Sequence, residues 1–159
     1  MTCFLSFSAP GAPVSVVQDF IGDKRRNDKI MYEVAITKDF SAAHSLKEIG
    51  GGCEALHGHN FTVEIAVASD DLDSSGVVVD FRLLKIWMEE VFEGLDHKYL
   101  NDLPYFADRN PSSENLARYI HDRLVEKTNA TVFHITRVTV WESASSRATY
   151  LPERLEVSH

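Results

Sequence analysis

The sequence predicts an α+β domain: an antiparallel sheet with two helices on one face. Three observations carry that expectation. Residues 60–69 alternate apolar and polar side chains, the period of a half-buried strand. Residues 81–93 place apolar side chains at three- and four-residue steps, the period of an amphipathic helix. Segments of these two kinds follow one another as β-β-α-α-β-β, so two hairpins flank a pair of helices.

Residues 1–30 read as an N-terminal extension of unknown role. Pro10, Gly11 and Pro13 interrupt any periodicity, and Lys24 to Lys29 is a charged run that suits a solvated linker. The start has no basic segment followed by an unbroken apolar one, so a signal peptide is not expected. Residues 31–159 are expected to form a single domain. Residues 32–40, rich in β-branched and aromatic side chains, predict the first strand. Residues 45–56 predict a loop, in which Gly50, Gly51 and Gly52 permit tight turning and close approach to a ligand.

In the strand at 60–69, Phe61, Val63, Ile65 and Val67 share one face, and Thr62, Glu64, Ala66 and Ala68 share the other. Residues 70–76 predict an acidic surface turn. Their aspartates lack the full spacing and terminal glutamate of a calcium loop. A short extended run at 77–79 leads to Asp80, a helix cap. Leu84, Trp87, Met88, Val91 and Leu95 mark the apolar side of the first helix, which Gly94 should end. The second helix opens at residues 111–115, capped by serine and carrying Leu116, Ile120 and Leu124 on its apolar side. Strands at 135–143 and 147–151 complete the order.

The net charge of −8 argues against a nucleic-acid or anionic-membrane surface, and no apolar run approaches the length of a membrane span. The two cysteines, Cys3 and Cys53, form no disulfide framework, which makes a reduced, cytoplasmic setting the expectation.

The chemistry gathers in residues 40–59. His57 and His59 lie one residue apart, so in an extended chain they point to the same side. His44 ends the preceding extended run, and antiparallel pairing would bring it to the other two. Three imidazoles with one open position is the pattern of a catalytic zinc site. Cys53 has three readings: a fourth ligand that closes the site, a nucleophile or base beside the metal, or an inert thiol. Asp96 and His97 are neighbours in a loop, and adjacent side chains often diverge. Glu142 lies in line with Val138 and Val140, so it either reaches water at the strand end or has a partner. Ser112, Ser113 and Glu114 are explained by a helix start, where exposed amides and hydroxyls can also bind a ligand. His121, His134 and His159 have no metal-like neighbours in sequence.

Taken together and in order, these residues resemble the 6-pyruvoyltetrahydropterin synthase family. The resemblance rests on Phe40 to His44, Cys53 with His57-Gly58-His59, Leu95-Asp96-His97, Pro111 to Asn115, and Glu142, and it spans about residues 31–151. The nearest branch is that of the 6-carboxytetrahydropterin synthases of queuosine and deazapurine synthesis. Three residues separate Cys53 from His57, a shorter gap than the animal pyruvoyl-forming enzymes usually have. A folate-pathway branch has glutamate in place of the cysteine.

The resemblance implies a tunnelling fold whose sheets join edge to edge into a trimeric barrel, with two trimers stacked as a homohexamer. It implies 7,8-dihydroneopterin triphosphate as substrate, and 6-carboxy-5,6,7,8-tetrahydropterin, acetaldehyde and triphosphate as products. It also assigns roles. His44, His57 and His59 would hold Zn2+, and the cation would act as a Lewis acid toward side-chain oxygens. Cys53, Asp96 and His97 would transfer protons, with the cysteine and the Asp-His pair meeting across a subunit interface. Ser112, Ser113, Glu114 and Glu142 would bind the pterin, although the family commonly has threonine where these serines stand. The alternatives are an enzyme of the pyruvoyl type, which retains the side-chain carbons, and a non-catalytic, zinc-stabilised, pterin-binding oligomer.

Overall fold

The computed structural model describes residues 31–128 and 131–152. The expectations for residues 1–30 and for His159 fall outside that range. The elements are β1 (Tyr32–His44), β2 (His57–Ser69), α1 (Phe81–Phe92), α2 (Ser113–Thr128), β3 (His134–Ser143) and β4 (Ser146–Tyr150). The four strands form one sheet in the order β1-β2-β3-β4, and every neighbouring pair is antiparallel.

The expected alternation appears as burial from Phe61 to Ile65, and beyond it Ala66 and Ala68 of the other face are buried as well. Phe61, Val63, Ile65 and Val67 of β2 join Ile36 and Phe40 of β1 and Val138 and Val140 of β3 in one core. Leu84 and Met88 of α1 and Leu116, Ile120 and Leu124 of α2 complete it. Each of these side chains contributes about 1.5–3 kcal/mol by leaving water. Both helices therefore belong to one face of the sheet, as predicted. Asp80 caps α1 by accepting the Arg82 backbone N–H at 2.8 Å. Lys38 of β1 pairs with Glu89 of α1.

The bounds differ from expectation in instructive ways. β1 runs on to His44 and β2 begins at His57, because the two pair without interruption from Tyr32↔Ser69 to His44↔His57. Residues 77–79 form no strand, since no neighbouring strand offers them a ladder. The turn before them is organised by Asp73, whose carboxylate accepts the N–H groups of Ser75 and Val77. Gly94 does not end α1 in the left-handed conformation. The chain instead continues in turns to His97, a non-glycine residue at φ 55°. The last strand lies one residue earlier than expected, at Ser146–Tyr150.

The outer edge of β1 is partly covered. His97 donates its backbone N–H to the Ser41 carbonyl at 2.6 Å, and Ala43 donates to the Lys98 carbonyl at 2.9 Å. Tyr99 forms a short parallel bridge with Ala43. The loop that follows α1 is thus stitched to the same end of the sheet that carries the histidines.

Candidate metal centre and active site

Strand register brings the three predicted histidines together. His44 lies directly opposite His57, and Ala42 opposite His59, so all three side chains emerge on the helix-covered face. His44 is completely buried. The ring centroids of His44 and His57 are 4.6 Å apart, and those of His57 and His59 4.9 Å.

Backbone carbonyls fix which nitrogens face one another. His44 Nδ1 lies 2.7 Å from the Pro111 carbonyl, and His57 Nδ1 2.7 Å from the Ala55 carbonyl. A carbonyl only accepts, so each Nδ1 carries the proton and donates it. Each neutral ring then presents a bare lone pair at Nε2. Those two Nε2 atoms stand 3.1 Å apart with no proton to share between them. His59 Nε2 is buried and has no hydrogen-bond partner. The Glu142 Oε1 atom approaches it to 3.3 Å, too poorly directed to serve as one.

Lone pairs gathered in this way repel one another unless a cation lies among them. Two ligands on a tetrahedral zinc are about 3.3 Å apart for bonds of about 2.0–2.1 Å. The donor set therefore fits a divalent metal with a preference for nitrogen. Carbonyl acceptors behind ligand imidazoles are the usual outer-shell support of such a site. Burial holds the His44 imidazole below its ordinary value. The neighbouring His57 and His59 act in the same direction, while the Pro111 carbonyl opposes them. His44 thus stays in the neutral, ligating form.

Glu142 joins the cluster. Among the described residues, His44, His57, His59 and Glu142 form a group whose potential ligand atoms all lie within 4.8 Å of one another. Glu142 lies on the same sheet face as Val138 and Val140, and its partner is Ser113, which donates its hydroxyl to Oε2 at 3.2 Å. Ser113 is the first residue of α2 and is buried. Ser112 caps the helix, its hydroxyl accepting the Asn115 N–H at 3.5 Å. Glu114 points to solvent in the first turn.

Cys53 sits in a short 3-10 turn, Gly51–Glu54, and is half-buried. Its sulfur is not part of the converging group. The loop reaches this turn through left-handed residues: Glu48 at φ 64°, Gly50 at φ 80° and Gly51 at φ 71°. The two glycines adopt that conformation without the cost a side chain would carry.

Asp96 and His97 do not diverge. The left-handed backbone at His97 turns its ring back, and Nδ1 donates to Asp96 Oδ2 at 2.8 Å. The other oxygen, Oδ1, accepts the Ser41 backbone N–H at 2.8 Å. That N–H holds the Asp96 carboxyl below its usual range, and His97 adds to the effect. The His97 side chain is 82% exposed, in contrast to His44. It lines an open hollow of about 590 Å3 with Ser41, Ala43, Gly58, Asn60 and Tyr99. His59 of the three-histidine cluster lines the same hollow, although among the described residues no hydrogen bond or ion pair joins the Asp96–His97 pair to that cluster or to Cys53.

Of the other histidines, His121 pairs with Asp122 and lies against Tyr150, and His134 is exposed. Nothing in the sequence points to the Pro111 and Ala55 carbonyls, because a backbone acceptor has no residue signature. Among the described residues no helix is long and apolar enough to cross a membrane.

A profile of the 6-pyruvoyl tetrahydropterin synthase family matches residues 33–153. The chain belongs to that family. It is an enzyme, a lyase. A Synechocystis (PCC 6803) protein named 6-carboxy-5,6,7,8-tetrahydropterin synthase is 39% identical over 127 residues, covering 76% of this chain and 95% of its own. A Bacillus subtilis (strain 168) protein of the same name is 35% identical over 132 residues, covering 77% and 88%. The solved structure of Caenorhabditis elegans 6-pyruvoyl tetrahydropterin synthase superposes with a TM-score of 0.69 at 28% identity, covering 77% of this chain and 96% of that one. The enzyme thus shares both the family's sequence and its four-stranded sheet with two helices.

Proposed function

We propose that the enzyme converts 7,8-dihydroneopterin triphosphate to 6-carboxy-5,6,7,8-tetrahydropterin, acetaldehyde and triphosphate, as a zinc-dependent step of queuosine and deazapurine synthesis in the cytoplasm. Atom balance requires uptake of one water. The observation that carries the reading is the convergence of the His44, His57 and His59 nitrogens beside Glu142. The names of the bacterial relatives support the carboxy product, as does the short gap between Cys53 and His57.

The three histidines would hold Zn2+, which when bound supplies Lewis acidity toward the substrate's side-chain oxygens. The remaining work belongs to this chain's own groups. Glu142 binds the pterin, its carboxylate matched to a ring N–H and the adjacent exocyclic amine, while Ser113 fixes the orientation of Oε2. Ser112 and Glu114 complete the contacts at the start of α2. The Cys53 thiolate takes a proton from the substrate side chain. His97 holds a proton at Nδ1, directed to Asp96 Oδ2, which leaves Nε2 free to give or take a second one.

The assembly in this reading is a homohexamer, a dimer of trimers, in which β1 and β4 edges join into a barrel. Closure removes exposed edges. It also gives the outward-facing His97 a partner, the Cys53 side of a neighbouring copy.

Mass spectrometry of the products formed from 7,8-dihydroneopterin triphosphate tests the reading. Acetaldehyde should appear in step with 6-carboxytetrahydropterin. A pyruvoyl product without acetaldehyde would move the enzyme to the pyruvoyl-forming activity, the second reading, which is favoured by the name of the C. elegans enzyme it superposes on.

A further inference from the structure

The loop that carries Cys53 begins at residues 45–47, which belong to no strand of the sheet. Two asparagine side chains nevertheless bond them as a strand would. Asn101 accepts the Ser45 N–H at Oδ1, 2.9 Å, and donates from Nδ2 to the Ser45 carbonyl, 2.9 Å. Asn110 accepts the Lys47 N–H at Oδ1, 2.8 Å, and donates to the Lys47 carbonyl, 2.9 Å. Each amide therefore satisfies both the donor and the acceptor of one backbone residue, and the partners fix which end of each amide is oxygen.

The residue between these two clamps is Leu46. Its side chain is buried, and its N–H donates to the Cys53 carbonyl at 2.9 Å. The chain from Lys47 to Gly52 is thus an excursion pinned at its base, with Cys53 at the closing point. That arrangement explains how a segment with three successive glycines can hold a residue in one place. The anchor of the second clamp is itself tied to the site. The Asn110 carbonyl accepts the Asn115 Nδ2–H at 2.8 Å, and the next residue, Pro111, holds His44.

We propose that Asn101 and Asn110 are positioning residues. Acting through Leu46, they hold the Cys53 segment at a fixed distance from the histidine cluster. The proposal rests on the reading of Cys53 as the proton-transferring group. Neither asparagine needs to touch substrate for the proposal to hold.

The test uses Asn101→Ala and Asn110→Ala in the full-length chain. Backbone hydrogen exchange over residues 45–54, zinc content, and kcat and KM are measured for each. A loosened clamp should raise exchange in this segment at least tenfold, while β1, β2 and the helices keep their protection and zinc stays bound. Misplacing a reacting group by about an ångström costs up to about a hundredfold in rate, so kcat should fall tenfold to a hundredfold with KM little changed. Asn101→Asp and Asn110→Asp keep the acceptor but set a charged oxygen against the Ser45 or Lys47 carbonyl in place of the donor. They should raise exchange over residues 45–54 and lower kcat in the same way, and they serve as the test if an alanine variant fails to fold.

Unchanged exchange at residues 45–54 in both positions would overturn the clamp. Raised exchange with wild-type kcat would overturn the positioning role. Cys53→Ala is run alongside. Retained turnover there would defeat the catalytic reading of the thiol and the positioning role with it, while the exchange data would still decide whether the amides hold the loop.

Discussion

Removing one imidazole from the three-histidine cluster has a worked consequence. In His57→Ala the 3.1 Å opposition of two Nε2 lone pairs disappears, together with the hydrogen bond to the Ala55 carbonyl. Without metal these losses act against each other. The metal-free variant should therefore melt within about 1 kcal/mol of metal-free wild type. With metal the two proteins should differ sharply. A ligand at about a thousand times its dissociation constant stabilises a fold by about 4 kcal/mol, which for a domain of this size corresponds to roughly 10–20 °C in melting temperature. Wild type should gain that shift on saturation with zinc, and His57→Ala should lose nearly all of it. Scanning calorimetry with zinc and with a chelator reads the effect, and elemental analysis of protein dialysed at neutral pH should give one zinc per chain for wild type. Full zinc occupancy in His57→Ala, or a wild-type melting temperature indifferent to zinc, would refute the argument from converging lone pairs.

Two further outcomes are expected. In the metal-free protein the folded His44 titrates below its ordinary value of 6.5, chiefly because it is buried, so between those two values the unfolded chain binds more protons than the folded one. Stability should then be lost as pH falls below 6.5, and urea midpoints measured against pH should show a slope that flattens in His44→Gln; a profile independent of pH in wild type would contradict it. On the proposed assembly, Cys53→Ala and His97→Ala are each inactive, and dissociating, mixing equally and reassembling them should return roughly a quarter of wild-type activity, because each interface draws its two sides independently. Exchange of subunits verified by mass, with no activity recovered, would show that both groups act within one chain.

The parts of the fold legible in the sequence were those with a strong period. Phe61 to Val67 alternate so regularly that the buried face of β2 followed at once, and Leu84, Met88 and Val91 did the same for α1. What failed was local reading where tertiary pairing decides. Ser41, Ala42 and Ala43 are weak strand formers, yet they extend β1 because Asn60, His59 and Gly58 lie opposite. Gly58 suits that pairing, since a Cβ there would sit 3.3 Å from the Ala42 carbonyl. Val77 to Val79 have strand composition but no strand beside them, and composition alone forms no ladder. Gly94 looked like a helix terminator, but the chain spends its left-handed conformation three residues later, at His97, where it turns the ring onto Asp96.

The site divides along the same line. His44, His57 and His59 were legible because alternation and pairing are local rules that project side chains predictably. The groups that orient the cluster's nitrogens were not. Pro111 lies 67 residues from His44, and its contribution is a carbonyl that every residue possesses. Asn101 and Asn110 act on residues 56 and 63 positions away, through amides that in sequence suggest only turns. Asp96 and His97 could be read as a pair but not as an exposed pair. Their position relative to the three histidines depends on how residues 96–99 lie along the edge of β1. The nitrogen cluster is assembled by one sheet's register, while the Asp-His pair is presented outward from an edge strand. On the proposed assembly a second copy of the chain supplies the group with which His97 exchanges a proton, and the subunit-mixing experiment measures that dependence directly.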